Sequence, residues 1–290
     1  MEFGVHLPHV GPFATPEAIA GVARKAEELG YHSVWVSDHI ITPRKIDSPY
    51  PGGRYPVEPE WPYLEPVATL LYAAAVTQRV RLGTSVIVIT QRQPVLLAKQ
   101  LATLDVLSSG RLIFGAGAGW MKEEFQALNV PFANHGPRMA EYLEVILRCW
   151  TLDDPTFHGR FYDLENVGVY PKPVQTPHPP IWIGGWVDGA LRRAARYGDA
   201  WHAGGPPEVL AERFAKLKQY AREYGRDPDD IALTVRGDGV RLKDQAQAIE
   251  QLRAYKGIGA TLLTLAFTGP DLDTIHERMA VFMRDIAPRV

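Results

Sequence analysis

Apolar segments of strand length alternate with segments of helical period along nearly the whole chain, and this alternation is what most restricts the fold. "EFGVHLP", "HSVWVSD", "VRLGTSVIVI", "RLIFGAG", "PPIWIGG", "DAWHAGG", "IALTVRG" and "ATLLTLAF" are near-continuously apolar, the pattern of strands buried on both faces. Between them lie helical repeats such as Ile19, Val22, Ala23, Ala26 and Leu29, or Leu272, Ile275, Met279, Phe282 and Ile286. Thr15-Pro16-Glu17 has the form of a helix start and Gly30 suits its end. Eight strand–helix pairs predict an α/β fold of the closed (β/α)8, or TIM-barrel, type. An open doubly wound sheet is the alternative, though it usually has fewer units. A chain of 290 residues fits one such barrel, so a single domain over 1–290 is expected.

Two stretches interrupt the rhythm. Residues 39–62 are rich in proline and glycine, and 120–180 carry an extra helical pattern (138–150) followed by a long connection, 152–180. Long connections in a compact domain are usually lids or binding loops. The first follows the second strand, which places it on the C-terminal face, where barrel enzymes build their sites.

Charge and cysteine content narrow the partners. With 31 Lys plus Arg against 33 Asp plus Glu, nothing favours nucleic acid or an anionic membrane. The single cysteine, Cys149, falls in an apolar helical pattern and reads as a buried thiol. No apolar run is long enough for a membrane span, and "MEFGVHLPHVG" lacks the form of a signal peptide, so a cytoplasmic protein is expected.

A barrel brings the residues after each strand to one mouth. The second strand delivers Asp38 and His39, an acid and an imidazole side by side. A histidine there can simply hydrogen-bond a loop; its acidic neighbour and its place at the mouth favour a role as acid, base or donor. Gly115, Gly117, Gly119, Gly184, Gly185, Gly204 and Gly205 follow the fourth, fifth and sixth strands, each before a helix, and suit an approaching phosphate. The "GAGAG" run lacks the G-x-G-x-x-G spacing and sits in the fourth unit, so a dinucleotide-binding Rossmann reading is poor. Trp120 and Trp186 read equally as loop packing or as walls for a planar ring. Arg44, Lys45, Arg54 and Arg92 read as solvated charges.

With those segments in view, the chain resembles the luciferase-like monooxygenase superfamily, in its branch of F420-dependent oxidoreductases. The resemblance rests on "VWVSDHI", "RLGTSVIVI", "KQLATLDVLSSGRLIFGAGAGWMKEEF" and "PPIWIGGWVDGALRRAARYGDAWHA", in that order and spacing, from residue 3 to about 205. It implies a luciferase-like barrel with a flavin or deazaflavin across its C-terminal face. Asp38 and His39 would lie beside the reactive ring, His39 exchanging a substrate proton. A non-proline cis peptide at Ser85-Val86 would back the ring. Backbone around Gly117, Ala118, Gly119, Gly184 and Gly185 would hold the cofactor phosphate, with Trp120 against the cofactor. Some relatives pair as homodimers.

Departures from the family pattern refine these expectations. Sugar-phosphate dehydrogenases of the branch carry an acid where this chain has Trp120, which argues against a sugar-phosphate substrate. FMN-using members often show His-x-x-Arg-Tyr, whereas here His135-Gly136-Pro137-Arg138 is followed by Met139. The expected activity is hydride transfer between F420 and a small organic substrate; the alternative is an FMNH2-dependent monooxygenase. A non-catalytic flavin-binding barrel and a metal-dependent barrel hydrolase are further alternatives. Against the hydrolase, the three-residue offset of His6 and His9 turns them to opposite faces unless Pro8 ends the strand, and "LLTLAFTG" supplies no carboxylate. No metal site is expected.

Overall fold

A computed structural model of the chain describes residues 1–50, 53–237, 240, 242 and 244–290; Pro51 and Gly52 of the first insertion lie outside the described residues. The chain begins with β1 (Glu2–His6), α1 (Pro16–Glu28), β2 (Ser33–Val36), α2 (Pro66–Ala75), β3 (Arg81–Thr84), β4 (Ile87–Val88) and α3 (Pro94–Leu107). It continues through β5 (Leu112–Gly117), α4 (Lys122–Ala127), α5 (His135–Thr151), β6 (Phe157–His158), β7 (Asp163–Leu164), β8 (Ile181–Gly184), α6 (Asp188–Tyr197) and β9 (Ala200–Gly204). The last elements are α7 (Pro207–Glu223), β10 (Ala232–Arg236), α8 (Gln245–Gly257), β11 (Ala260–Leu265) and α9 (Leu272–Val281). Thr15 caps α1 by accepting the Ala18 N–H at 3.3 Å, and Gly30 leaves the helix with φ 79°, as the sequence pattern predicts.

The strand order β3-β2-β1-β11-β10-β9-β8-β5-β4, with β3 pairing back to β5, closes a parallel TIM barrel. The sheet has nine strand segments, but β3 and β4 are two parts of one barrel strand, leaving eight barrel strands. Closure excludes the open doubly wound sheet. Residues 39–62 run between β2 and α2, and residues 120–180 contain α4, α5, β6 and β7; the extra helix is α5. The 152–180 connection contains the small antiparallel pair β6–β7, and the short α4 has no counterpart in the sequence reading.

Alternation along β2 decides what fills the barrel. Val34, Trp35 and Val36 are each 0% exposed, and Trp35 packs with Ile113, Trp182, Ala200 and Leu262, a cluster separate from the main core. Trp35 and Trp182 stack with centroids 4.8 Å apart. So large a side chain needs a neighbour without one: a Cβ on Gly83 would lie 2.3 Å from the Trp35 ring.

β3 and β4 are separated by a bulge at the cis Ser85-Val86 peptide, which stands where the family resemblance places it. From Gly83 to Ile87 this strand advances four positions while its partner advances three, from Ile113 to Ala116. The bulge presses on β5, so a Cβ on Gly115 would meet the Thr84 carbonyl oxygen at 1.7 Å. Backbone cannot yield as a flexible side chain does. Gly115→Ala is therefore expected to cost about 3 kcal/mol or more in urea unfolding, at the upper end of overpacking effects; a loss under about 1 kcal/mol would show that the bulge is soft.

Candidate active site

The barrel mouth is organised by two carboxylates, one on each side of His39. Nδ1 of His39 lies 3.0 Å from Oε2 of Glu124 in the first turn of α4. Oε1 of Glu124 accepts the Ile40 N–H at 2.7 Å. The Glu124 side chain is 1% exposed. Desolvation by burial acts to raise its pKa, but hydrogen bonding and charge from His39, with the further hydrogen bond from the Ile40 N–H, outweigh it and hold the carboxyl below the ordinary glutamate value. Around the imidazole stand Tyr55, Tyr63 and Trp120, with ring centroids 5.2, 5.6 and 6.0 Å from it. Tyr50 packs on both Tyr55 and Trp120. Within the 39–62 segment Tyr55 thus packs against His39, with Tyr50 behind it. Burial also raises the pKa of the Tyr55 and Tyr63 phenols, so both remain protonated donors at neutral pH.

Asp38 faces the other way. Its Oδ1 accepts from Arg92 Nη2 at 2.8 Å, and its Oδ2 accepts from Arg92 Nη1 at 2.6 Å and from the Val88 N–H at 2.8 Å. The reading of Arg92 as a solvated charge is corrected here: its side chain is 12% exposed and forks onto a carboxylate that is 0% exposed. Burial pushes the Asp38 carboxyl above the ordinary aspartate value against the pull of Arg92. Three N–H donors on one carboxyl nevertheless describe an ionised group. Because Val88 opens onto the far side of the bulge, Asp38 stitches the end of β2 to it, and His39 and Ser85-Val86 share one mouth. Arg44, Lys45 and Arg54 do lie on the surface, paired with Glu60, Asp47 and Glu58.

The glycines expected at a phosphate have a nearer reason to lack side chains. A Cβ on Gly117 would meet Val86 Cγ2 at 2.6 Å, and one on Gly184 would meet both Val86 methyls at 3.1 Å. Gly119 and Gly185 adopt φ values of 84° and 114°, turning the chain out of β5 and β8. Those strands are neighbours, so Gly117, Ala118, Gly119, Gly184 and Gly185 converge on one side of the mouth. The two tryptophans part company. Trp120 joins the rings around His39, whereas Trp186 covers Gly205 and lies beneath the Arg213 guanidinium.

Three further histidines lie under the mouth. Nε2 of His202 is 2.9 Å from Ser85 Oγ, and its Nδ1 is 2.9 Å from Thr234 Oγ1. His6 lies 3.3 Å from Thr264 Oγ1. β1 ends at His6, so strand alternation does not govern His9, which turns back to Ser37 Oγ at 2.9 Å, itself 2.5 Å from the Tyr63 hydroxyl. Among the described residues no group of three or more His, Cys, Asp or Glu is placed to hold a metal.

Burial keeps these imidazoles neutral, lowering His9 to about 4 and His202 to about 3, and holding His6 well below its ordinary value. An unfolded chain protonates them near pH 6.5, so between that pH and the folded values the unfolded state binds more protons. Their stabilisation is whole above pH 6.5 and is lost as pH falls. Thermal melts from pH 7 to 4 are expected to show stability falling by roughly 1.4 kcal/mol per pH unit for each histidine. A flat profile across that window would contradict the burial of these rings.

Glu124 is the residue that the sequence reading missed. Acids in a first helical turn are ordinary because they suit the helix dipole, so "KEEF" gave no reason to prefer either glutamate. Only the turn from β5 into α4 aims one of them at His39.

Comparison with known proteins agrees with this architecture. A protein of Mycobacterium tuberculosis, Rv0940c, is 37% identical over 268 residues, covering 89% of each chain. An F420-dependent glucose-6-phosphate dehydrogenase of Kineococcus radiotolerans is 32% identical over 253 residues, covering 85% of this chain and 70% of that one. The solved structure of an F420-dependent secondary alcohol dehydrogenase in complex with an F420-acetone adduct superposes with a TM-score of 0.81 at 20% identity, covering 100% of this chain and 98% of the other. The profile of the luciferase-like monooxygenase family matches residues 1–281. A parallel barrel with a bulged third strand, a histidine at its mouth and this match along nearly its whole length make the chain a member of the luciferase-like monooxygenase family.

Proposed function

We propose that the protein is an F420-dependent oxidoreductase that transfers a hydride between the deazaflavin and a small organic substrate. The observation that carries this reading is the joining of His39 to the Ser85-Val86 bulge through Asp38, Arg92 and Val88, which sets a proton-handling group and a ring-backing surface at one mouth. The relative from Kineococcus, named for F420, supports the choice of cofactor.

The residues present fit such a group. Ser85 and Val86 would lie behind the ring, Trp120 beside it, and the backbone of Gly117, Ala118, Gly119, Gly184 and Gly185 would take the phosphate. When bound, the deazaflavin supplies the hydride chemistry, and the protein contributes orientation and electrostatics. His39 would hold the substrate oxygen and exchange its proton. Asp38, with every oxygen engaged, would act by fixing the position of the bulge. The aromatic residues Tyr50, Tyr55, Tyr63 and Trp120 would exclude water. Trp120, in place of an acid, favours a substrate other than a sugar phosphate.

The family description also favours a second reading, an FMNH2-dependent monooxygenase. Parallel titration with F420 and FMN, each oxidised and reduced, separates the two. Saturable F420 binding with weak FMN binding is expected. Preference for reduced FMN would assign the protein to the monooxygenase reading.

A further inference from the structure

We propose that Glu124 is the positioning residue that holds His39 in its Nδ1–H tautomer, so that Nε2 meets the substrate as a lone pair. The proposal rests on the reading of His39 as the group that exchanges the substrate proton. A carboxylate can only accept hydrogen bonds. Both Glu124 oxygens are committed, Oε1 to the Ile40 N–H at 2.7 Å and Oε2 to Nδ1 of His39 at 3.0 Å. The ring nitrogen facing the carboxylate is therefore the one that carries hydrogen. Nε2 makes no hydrogen bond to any described residue, so in the neutral ring it is the acceptor left for a bound molecule.

The same turn of α4 fastens the loop that covers the site. Glu124 holds the loop root through Ile40, and Oε1 of the adjacent Glu123 accepts the Asp47 and Ser48 N–H groups at 2.9 and 3.0 Å. Lys122 N–H in turn donates to Ser48 Oγ at 2.9 Å. Ring orientation and loop position thus depend on one short helix.

Glu124→Gln is the discriminating substitution because it keeps the shape and removes one acceptor. The Ile40 N–H is fixed in the backbone and keeps the remaining oxygen. The amide NH2 then faces Nδ1, which must accept, and the ring hydrogen relocates to Nε2 by exchange with solvent. Nitrogen NMR of histidine-labelled protein, with His39 assigned through its absence in His39→Asn, reads this directly at a pH where the ring is neutral. The expected result is a protonated Nδ1 and bare Nε2 in the wild type, reversed in Glu124→Gln. An Nε2–H tautomer in the wild type, or the same tautomer in both proteins, would overturn the proposal; the wild-type spectrum alone decides if the variant fails to fold.

F420-dependent turnover should fall about 10³- to 10⁴-fold in Glu124→Gln with F420 affinity unchanged, since replacing by an amide the carboxylate that sets a catalytic histidine's tautomer costs about 10⁴-fold in serine proteases. A tautomer switch in a protein that does not bind F420 would refute the cofactor reading and leave the positioning role standing.

Discussion

Replacing His39 by alanine is expected to lower turnover by about 10²- to 10⁴-fold, the usual contribution of a positioned acid or base. Cofactor affinity should change little, because the phosphate-binding backbone proposed after β5 and β8 belongs to other elements. The ring also satisfies Oε2 of the buried Glu124, so His39→Ala leaves that oxygen without its partner. A fall in melting temperature is therefore expected alongside the kinetic loss. Glutamine is the better control, as it retains an N–H donor while removing the ionisable ring. Unchanged turnover in both variants, at full F420 occupancy, would remove His39 from the chemistry.

The second large effect belongs to Arg92. Truncating it to methionine leaves the Asp38 carboxylate buried with the Val88 N–H as its one remaining hydrogen-bond donor among the described contacts. Breaking a buried pair from one side costs about 3–5 kcal/mol, much more than losing a surface salt bridge. Removing both charges in Asp38→Asn/Arg92→Met should recover part of that stability, because no unpaired charge remains. Urea unfolding of the two single variants and the double variant forms the required cycle. A cost below about 1 kcal/mol for Arg92→Met would mean that the fork contributes no more than an exposed pair. Turnover should stay low even in the double variant, since the asparagine amide oxygen can keep the Val88 N–H but the Arg92 fork that fixes this side chain is lost.

Much of the architecture was legible in the letters because local rules and the global fold agree. Unbroken apolar strands separated by helical periods admit few arrangements, and the cap at Thr15-Pro16 marks a helix start from sequence alone. The family resemblance located the bulge at Ser85-Val86. Arg92 was not legible. An arginine two residues before a helix reads as a solvated charge, and only closure of the barrel brings Asp38 within reach of it.

The glycines show the same division. Their spacing was visible, but it suggested room for a ligand, whereas Gly115, Gly117 and Gly184 also make room for Thr84 and Val86 of the neighbouring bulge. Glu124 was hidden more completely, because two successive acids in a helical first turn look alike until the direction of the turn is known. Sequence by itself determined the barrel, the order of its units and the presence of an imidazole at the mouth, since these follow from periodicity and chain order. Tertiary structure alone decided which polar groups meet at the mouth, because residue 38 meets 92 and residue 39 meets 124 through space, by strand closure and by no local pattern.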